Sequence, residues 1–223
     1  RDTIVLESCE YCNSFHSFFP TVAVILNVDA DHLDFFKDID DIKASFRKFA
    51  ELVPKDTGWV VANRDDKNTM DALCCIDRRI LTFGFTDDAD VYAANIKNDG
   101  ERSCFDVIYG GEVFTRITLN IPGRHNISNA LATAASAIAL GIPGSAVSDG
   151  LSTFTGAGRR MEYKGEYNGA VIYDDYAHHP GEMHALIDAV QALEYERVIV
   201  GFQPHTYTRT KALFNDFVRE LKR

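Results

Sequence analysis

Positive charge is scarce in this 223-residue chain: 23 Lys and Arg stand against 33 Asp and Glu, for a formal net charge of -10. A surface of that sign repels a phosphate backbone, which argues against nucleic acid as a partner. Long apolar runs are missing too. No stretch reaches the roughly 20 apolar residues that cross a bilayer, and the opening RDTIVLESCEY has neither a basic start nor an apolar signal core. No membrane partner is expected, and the chain reads as cytoplasmic. Its five cysteines are an odd number, which suits free thiols in a reducing compartment better than a disulfide framework. Cys9 and Cys12 have C-x-x-C spacing, and Cys74 and Cys75 can be drawn as the other half of a zinc site. Adjacent cysteines in a helical stretch are expected to point apart, however, so zinc is the weaker reading. The chain also lacks a G-x-x-x-x-G-K-[ST] loop, and Gly156-Ala-Gly158 has no third glycine and no clear preceding strand. Without that lysine and its cradle of backbone N–H groups, productive triphosphate binding by this chain alone is not expected.

What is present alternates in a way that favours an α/β fold with a central mixed, mainly parallel sheet flanked by helices. Thr3 to Leu6 reads as a buried strand ending at Glu7, and Thr21 to Asn27 as a strand covered on both faces. Apolar Ile39, Ile42, Phe46, Phe49 and Val53 recur at spacings of three and four, predicting an amphipathic helix that Pro54 closes. A strand over Trp59 to Asn63, a helix near Asn68 to Cys75 and a strand around Ile80 to Phe83 follow. Cys104 to Tyr109 and Glu112 to Leu119 flank Gly110-Gly111 and predict an antiparallel hairpin. Asn126 to Leu140 is an alanine-rich helix ended by Gly141, with a short helix from Pro143 to Leu151 behind it. After Gly158 a new strand–helix series begins: Gly169 to Tyr173, a helix from Pro180, Arg197 to Phe202, and a last helix from Thr208. The expected domains are therefore 1–158 and 159–223.

Three polar clusters, Asn27 to His32, Asp174 to His179 and Gln203 to Arg209, each follow an expected strand. Ligands of open α/β sheets bind beyond the carboxyl ends of strands, so these clusters are the candidate site, the latter two side by side. Glu7 and His32 can hold a divalent cation beside a phosphate, or can simply be solvated. Asn126 and Asn129 share a helix face where their amides can read a purine edge, although Asn126 is equally suited to be an N-cap. Arg159 and Arg160, after two glycines, can swing onto a phosphate on domain closure or remain in water.

In order along the chain, ESCEY at 7 to 11, NVDADHLD at 27 to 34, PGRHNISNALA at 122 to 132, GAGRRMEY at 156 to 163, YDDYAHHPGE at 173 to 182 and FQPHTYTRT at 202 to 210 together resemble the Mur ligases. The double-histidine loop and the QPH motif resemble the alanine-adding branch of that family. The resemblance implies most of a P-loop-type central ATP-binding domain, whose phosphate loop would precede Arg1, plus the first half of a Rossmann-like C-terminal domain; such a piece is not expected to catalyse alone. It further implies ATP and Mg2+ as cofactors, UDP-N-acetylmuramate and L-alanine as partners, and an acyl phosphate intermediate. By residue, it implies Glu7 and His32 as magnesium ligands, His125, Asn126 and Asn129 around adenine, Arg160 near phosphate and Asp175 near the nucleotide. Tyr176, His178, His205 and Arg209 would meet the substrate, the last three carrying the chemistry. Thr206 stands where the familiar QPHRYTRT has arginine, and Ala177 where DDYGHHP has glycine. The alternatives are a related ligase that attaches a preformed tripeptide, and a non-catalytic binding module of the same fold.

Overall fold

A computed structural model describes residues 3–99 and 102–223. The chain forms two compact units, one of residues up to Tyr92 with Leu131–Ile142, the other of Ala93–Ala130 with Pro143–Arg223. One six-stranded sheet runs in the order β1 (Val22–Ile25), β2 (Trp59–Asn63), β3 (Ile80–Gly84), β4 (Val91–Asn98), β5 (Ser103–Tyr109) and β6 (Glu112–Leu119). The pairs from β1 through β4 are parallel and β5–β6 is antiparallel, so the mixed, mainly parallel α/β sheet expected from the sequence is present.

In the first unit the core joins Ala23 and Ile25 of β1, Val60 and Ala62 of β2, and Ile42, Phe49 and Ala50 of helix α1 (Ile39–Glu51). Phe15 stacks on Phe49 at 4.7 Å between ring centroids. Each of the larger side chains, Phe15, Ile25, Ile42, Phe49 and Val60, contributes about 1.5–3 kcal/mol by leaving water. Both ends of α1 are fastened. Asp38 accepts the Asp41 N–H at 3.0 Å, and the Arg78 guanidinium donates to the carbonyls of Glu51 at 2.6 Å and Val53 at 2.7 Å. Helix α2 (Lys67–Ala72) is capped by Asp66, whose carboxylate accepts from Thr69 N at 2.7 Å and Val28 N at 3.1 Å. That second bond fixes the start of the polar loop after β1.

In the second unit β5 and β6 turn through Gly110 and Gly111, both at positive φ (62° and 81°), as the glycine pair predicts. Helix α3 (Arg124–Ala139) runs from this unit into the first, and helix α4 (Gly144–Ser152) packs on β6 through Thr115 and Ser148. A two-stranded antiparallel ribbon, β7 (Glu162–Tyr167) with β8 (Ala170–Asp174), precedes α5 (Pro180–Gln191), α6 (Tyr207–Ala212) and α7 (Phe214–Leu221).

Three expected strands differ. Thr3 to Leu6 pairs with nothing among the described residues and stays exposed, Val5 at 92%. Arg197 to Phe202 likewise forms no strand, and Ile199 is 79% exposed. A β-branched run is buried only where a neighbouring strand takes up its backbone bonds and a second layer covers its side chains. β1 is covered on one face rather than two, as its alternation of buried Ala23 and Ile25 with open Val24 shows.

Candidate functional site

The best-connected cluster of the expected site residues lies in the second unit, where the start of α3, the segment before β7 and the loop after β8 are in electrostatic or hydrogen-bonding reach. Gly123 has φ 103°, and a Cβ built there would lie 2.5 Å from a ring carbon of His125, so only glycine lets the imidazole fold back at this point. Packing around the His125 ring lowers its pKa; Asp175 opposes that shift and Arg160 adds to it. The imidazole is therefore neutral at pH 7. Asn126 is not an N-cap. It sits inside the first turn of α3, and its side-chain amide donates to the Pro122 carbonyl at 2.6 Å. Asn129 follows one turn later, exposed on the same face.

Asp175 is the joint between two segments. One carboxylate oxygen accepts from Met161 N at 2.8 Å and the other from Ala177 N at 2.7 Å, tying the double-arginine segment to the double-histidine loop. Arg159 reinforces that joint: its carbonyl accepts from Tyr176 N at 2.9 Å, its guanidinium lies 3.4 Å from Asp174 and stacks 4.6 Å from the Tyr176 ring centroid. Glu182 forms a second joint. It accepts the N–H groups of His178 at 2.8 Å and His179 at 3.1 Å, and its other oxygen pairs with Arg160 at 3.1 Å. With His179 it makes a capping box at the start of α5. Burial pushes the Glu182 carboxyl up, but the His178 N–H, His178 itself and Arg160 outweigh it, and the group stays below the usual carboxylate range. The pair thus presents an ionised carboxylate holding an arginine in place.

His178 Nδ1 lies 2.8 Å from the Tyr176 carbonyl, which can only accept. A neutral His178 therefore donates from Nδ1 and keeps Nε2 as an acceptor, the form suited to taking a proton from an amine. His205 and Arg209 sit elsewhere in the unit. Arg209 donates to the His205 carbonyl at 2.9 Å, and Thr206 caps α6 by accepting from Arg209 N at 3.5 Å. His205 borders an open hollow of about 960 Å3 lined also by Gln203, Tyr207, Lys211, Phe214 and Asn215. Because Arg197 to Phe202 adds no strand to the β7–β8 ribbon, the side-by-side sheet placement expected for the two histidine loops is absent.

In the first unit, His32 Nε2 lies 3.5 Å from Glu10 and 3.8 Å from Asp31, and its ring is 4.8 Å from that of Tyr11. Glu7 is exposed on the extended segment, so the carboxylates beside His32 are Glu10 and Asp31. Among the described residues no group of three or more His, Cys, Asp or Glu is arranged to hold a metal ion. Magnesium usually takes only one or two protein carboxylates and completes its shell with water and phosphate, so this donor set suits Mg2+ and not a closed zinc site. Glu182 was the participant that sequence reasoning passed over. The signal for Glu182 was present, an acidic residue three places after a helix-capping position.

Residues 2–137 match the family model described as the Mur ligase middle domain, and residues 159–223 match the one described as the Mur ligase, glutamate ligase domain. The UDP-N-acetylmuramate–L-alanine ligase of Caldanaerobacter subterraneus subsp. tengcongensis is 49% identical over 96% of this chain and 46% of its own length. The enzyme of the same name from Clostridium novyi is 48% identical, with the same coverage. The chain spans about half the length of the curated relatives it matches. Among solved structures, a UDP-N-acetylmuramate–alanine ligase from Thermotoga maritima superposes with a TM-score of 0.72 at 27% identity, covering 90% of this chain and 45% of that one. A murein peptide ligase from Psychrobacter arcticus gives 0.62 at 27% identity over 82% of this chain and 37% of its own.

Proposed function

Since the chain belongs to the Mur ligase family, carrying its middle and glutamate ligase domains, we propose that the whole protein joins L-alanine to UDP-N-acetylmuramate at the expense of ATP, in peptidoglycan precursor synthesis. The muramate carboxylate attacks the γ-phosphate of ATP, releasing ADP and leaving an acyl phosphate. The alanine amine then adds to the acyl carbon, and the tetrahedral intermediate collapses to an amide and inorganic phosphate. An anionic nucleophile must approach an anionic phosphate, so the demand on the site is positive charge held in place before the reaction begins.

The observation that carries this reading is the Arg160–Glu182–His178 joint, in which Glu182 pairs with the Arg160 guanidinium at 3.1 Å and accepts from the His178 backbone N–H at 2.8 Å, beside the loops that Asp175 holds together. One carboxylate thus links a guanidinium suited to phosphate with the loop that carries His178, whose ring Nδ1 lies 3.4 Å from it. In this reading neutral His125, Asn126 and Asn129 line the adenine, and Asp175 anchors the loops beside the nucleotide. Tyr176, His178 and His205 face the muramyl and amino-acid groups, and Arg209 pairs with a carboxylate. Mg2+, held at Glu7 and His32, would neutralise phosphate charge, with Glu10 the carboxylate nearest His32. No helix is long and apolar enough to cross a membrane among the described residues, and we assign the protein to the cytoplasm, where ATP and nucleotide-linked sugars meet. The domain boundary is proposed near Gly158.

The test is amide formation by the whole protein, followed as ADP release with UDP-N-acetylmuramate and ATP present. Release that requires L-alanine supports the reading. Release that requires a preformed tripeptide instead moves the protein to the related ligase, and nucleotide binding without turnover makes it a binding module.

A further inference from the structure

The cysteine pair that the ligase chemistry leaves unused has a geometry of its own. After α2, Leu73 is buried in the first unit's core at 2% exposure and Ile76 packs against the same core. Ile76 N donates to the Leu73 carbonyl at 3.3 Å, so the two residues between them lie on a turn fastened at both ends. Within it Cys75 has φ 62°, a left-handed conformation that residues other than glycine rarely adopt. That reversal turns the second sulfur back toward the first, and the two Sγ atoms stand 3.3 Å apart. Both thiols are free and exposed. The expectation that these cysteines point apart is therefore corrected; it assumed continuous helix where the backbone reverses.

Three chemistries compete for such a pair. Zinc asks for four donors, and among the described residues no group of three or more candidate ligands exists. A disulfide prefers Cα atoms about 4.4–6.8 Å apart, whereas consecutive Cα atoms are only about 3.8 Å apart, so oxidation would strain the turn. A single soft centre bonded to each sulfur at about 2.3 Å bridges the observed gap without moving the backbone. We propose that Cys74 and Cys75 form a chelating dithiol site for trivalent arsenicals, which need only two protein sulfurs. With an arsine oxide, two As–S bonds form, the arsenic–oxygen bond breaks, both thiol protons leave in one water molecule, and no atom changes oxidation state. The hydrogen bond to Cys75 raises the Cys74 pKa and keeps it the thiol that this exchange consumes. The site is independent of the ligase reading.

The test is titration of the reduced chain with phenylarsine oxide, read by intact-mass spectrometry. One bridging adduct per chain is expected, removed by dimercaptopropanol and resistant to a monothiol. It is lost in Cys74→Ser and in Cys75→Ser, and kept when Cys9, Cys12 and Cys104 are all replaced by serine. In the unsubstituted chain the adduct should also protect Cys74 and Cys75 from iodoacetamide in a peptide map, a readout that needs no variant. Absence of a stable adduct, its survival in Cys74→Ser, or protection of Cys9 and Cys12 instead would overturn the proposal.

Discussion

Val60-Val61-Ala62 and Val198-Ile199-Val200 are nearly the same in composition and opposite in outcome. The first three are fully buried in the middle of parallel pairings; the second three are 47%, 79% and 48% exposed and form no strand. Apolar, β-branched character is a capacity for burial, and the neighbour realises it. The difference separates two kinds of region. The early β–α–β–α–β segment invests its side chains in a core, whereas the segment from 159 onward keeps arginine, histidine and acidic side chains accessible and fixes them through carboxylates on backbone N–H groups.

This contrast can be broken by substitution. Ile25→Ala, at a site 1% exposed, should lower unfolding free energy by about 2–5 kcal/mol, whereas Ile199→Ala should stay within about 0.5 kcal/mol; equal losses in urea melts would erase the distinction. The reverse asymmetry is expected for activity. Arg160→Ala, half open to solvent and paired with Glu182, should reduce turnover of the whole protein by about 100-fold, with the melting temperature nearly unchanged. Kinetics and a thermal melt on one preparation check both halves.

Gly123→Ala should sharpen the picture from the other side. It forces a side chain onto φ 103° and into the His125 ring, at a strain of about 1–3 kcal/mol, and should weaken nucleotide affinity together with stability.

The smallest effect is electrostatic. Arg116, then Asn95, hold the Asp106 carboxyl below its ordinary range on a buried face of the β5–β6 hairpin. A pKa depressed by folding gives stability that is present at neutral pH and lost as pH falls through the folded value. Asp106→Asn should therefore flatten the acid limb of a stability–pH curve and leave the alkaline limb unchanged, which melts at stepped pH can read.

Much of the sheet was legible because its signals are local. β2 begins and ends where its apolar run does, and Gly110-Gly111 marks the β5–β6 turn. β4 was missed because Ala93, Ala94, Asn95 and Lys97 dilute strand character, and Asn95 interrupts it with φ 55°. The β7–β8 ribbon was readable and passed over: Asn168-Gly169, with φ 50° and 82°, is the residue pair that a tight hairpin turn prefers. For the candidate site, the resemblance of the motifs and their order to the Mur ligases pointed to His125, Arg160, Asp175 and His178. The joints that hold them did not show, because Asp175 accepts from the backbone N–H of Met161 and Glu182 pairs with Arg160, partners that lie in another segment of the chain. Runs such as Thr3 to Leu6 were misread for the same reason: a strand's partner is never written in the strand.

If His125, Arg160, Asp175 and Glu182 form one nucleotide-handling cluster, as proposed, the imidazole of His125 is its natural reporter. Following that ring by NMR in the whole protein, as pH and then ADP are varied, tests it most directly. The account predicts titration below the ordinary histidine value of about 6.5, and a ring signal that moves when ADP binds and no longer moves in Gly123→Ala. A ring that titrates at the ordinary value and ignores the nucleotide would contradict it.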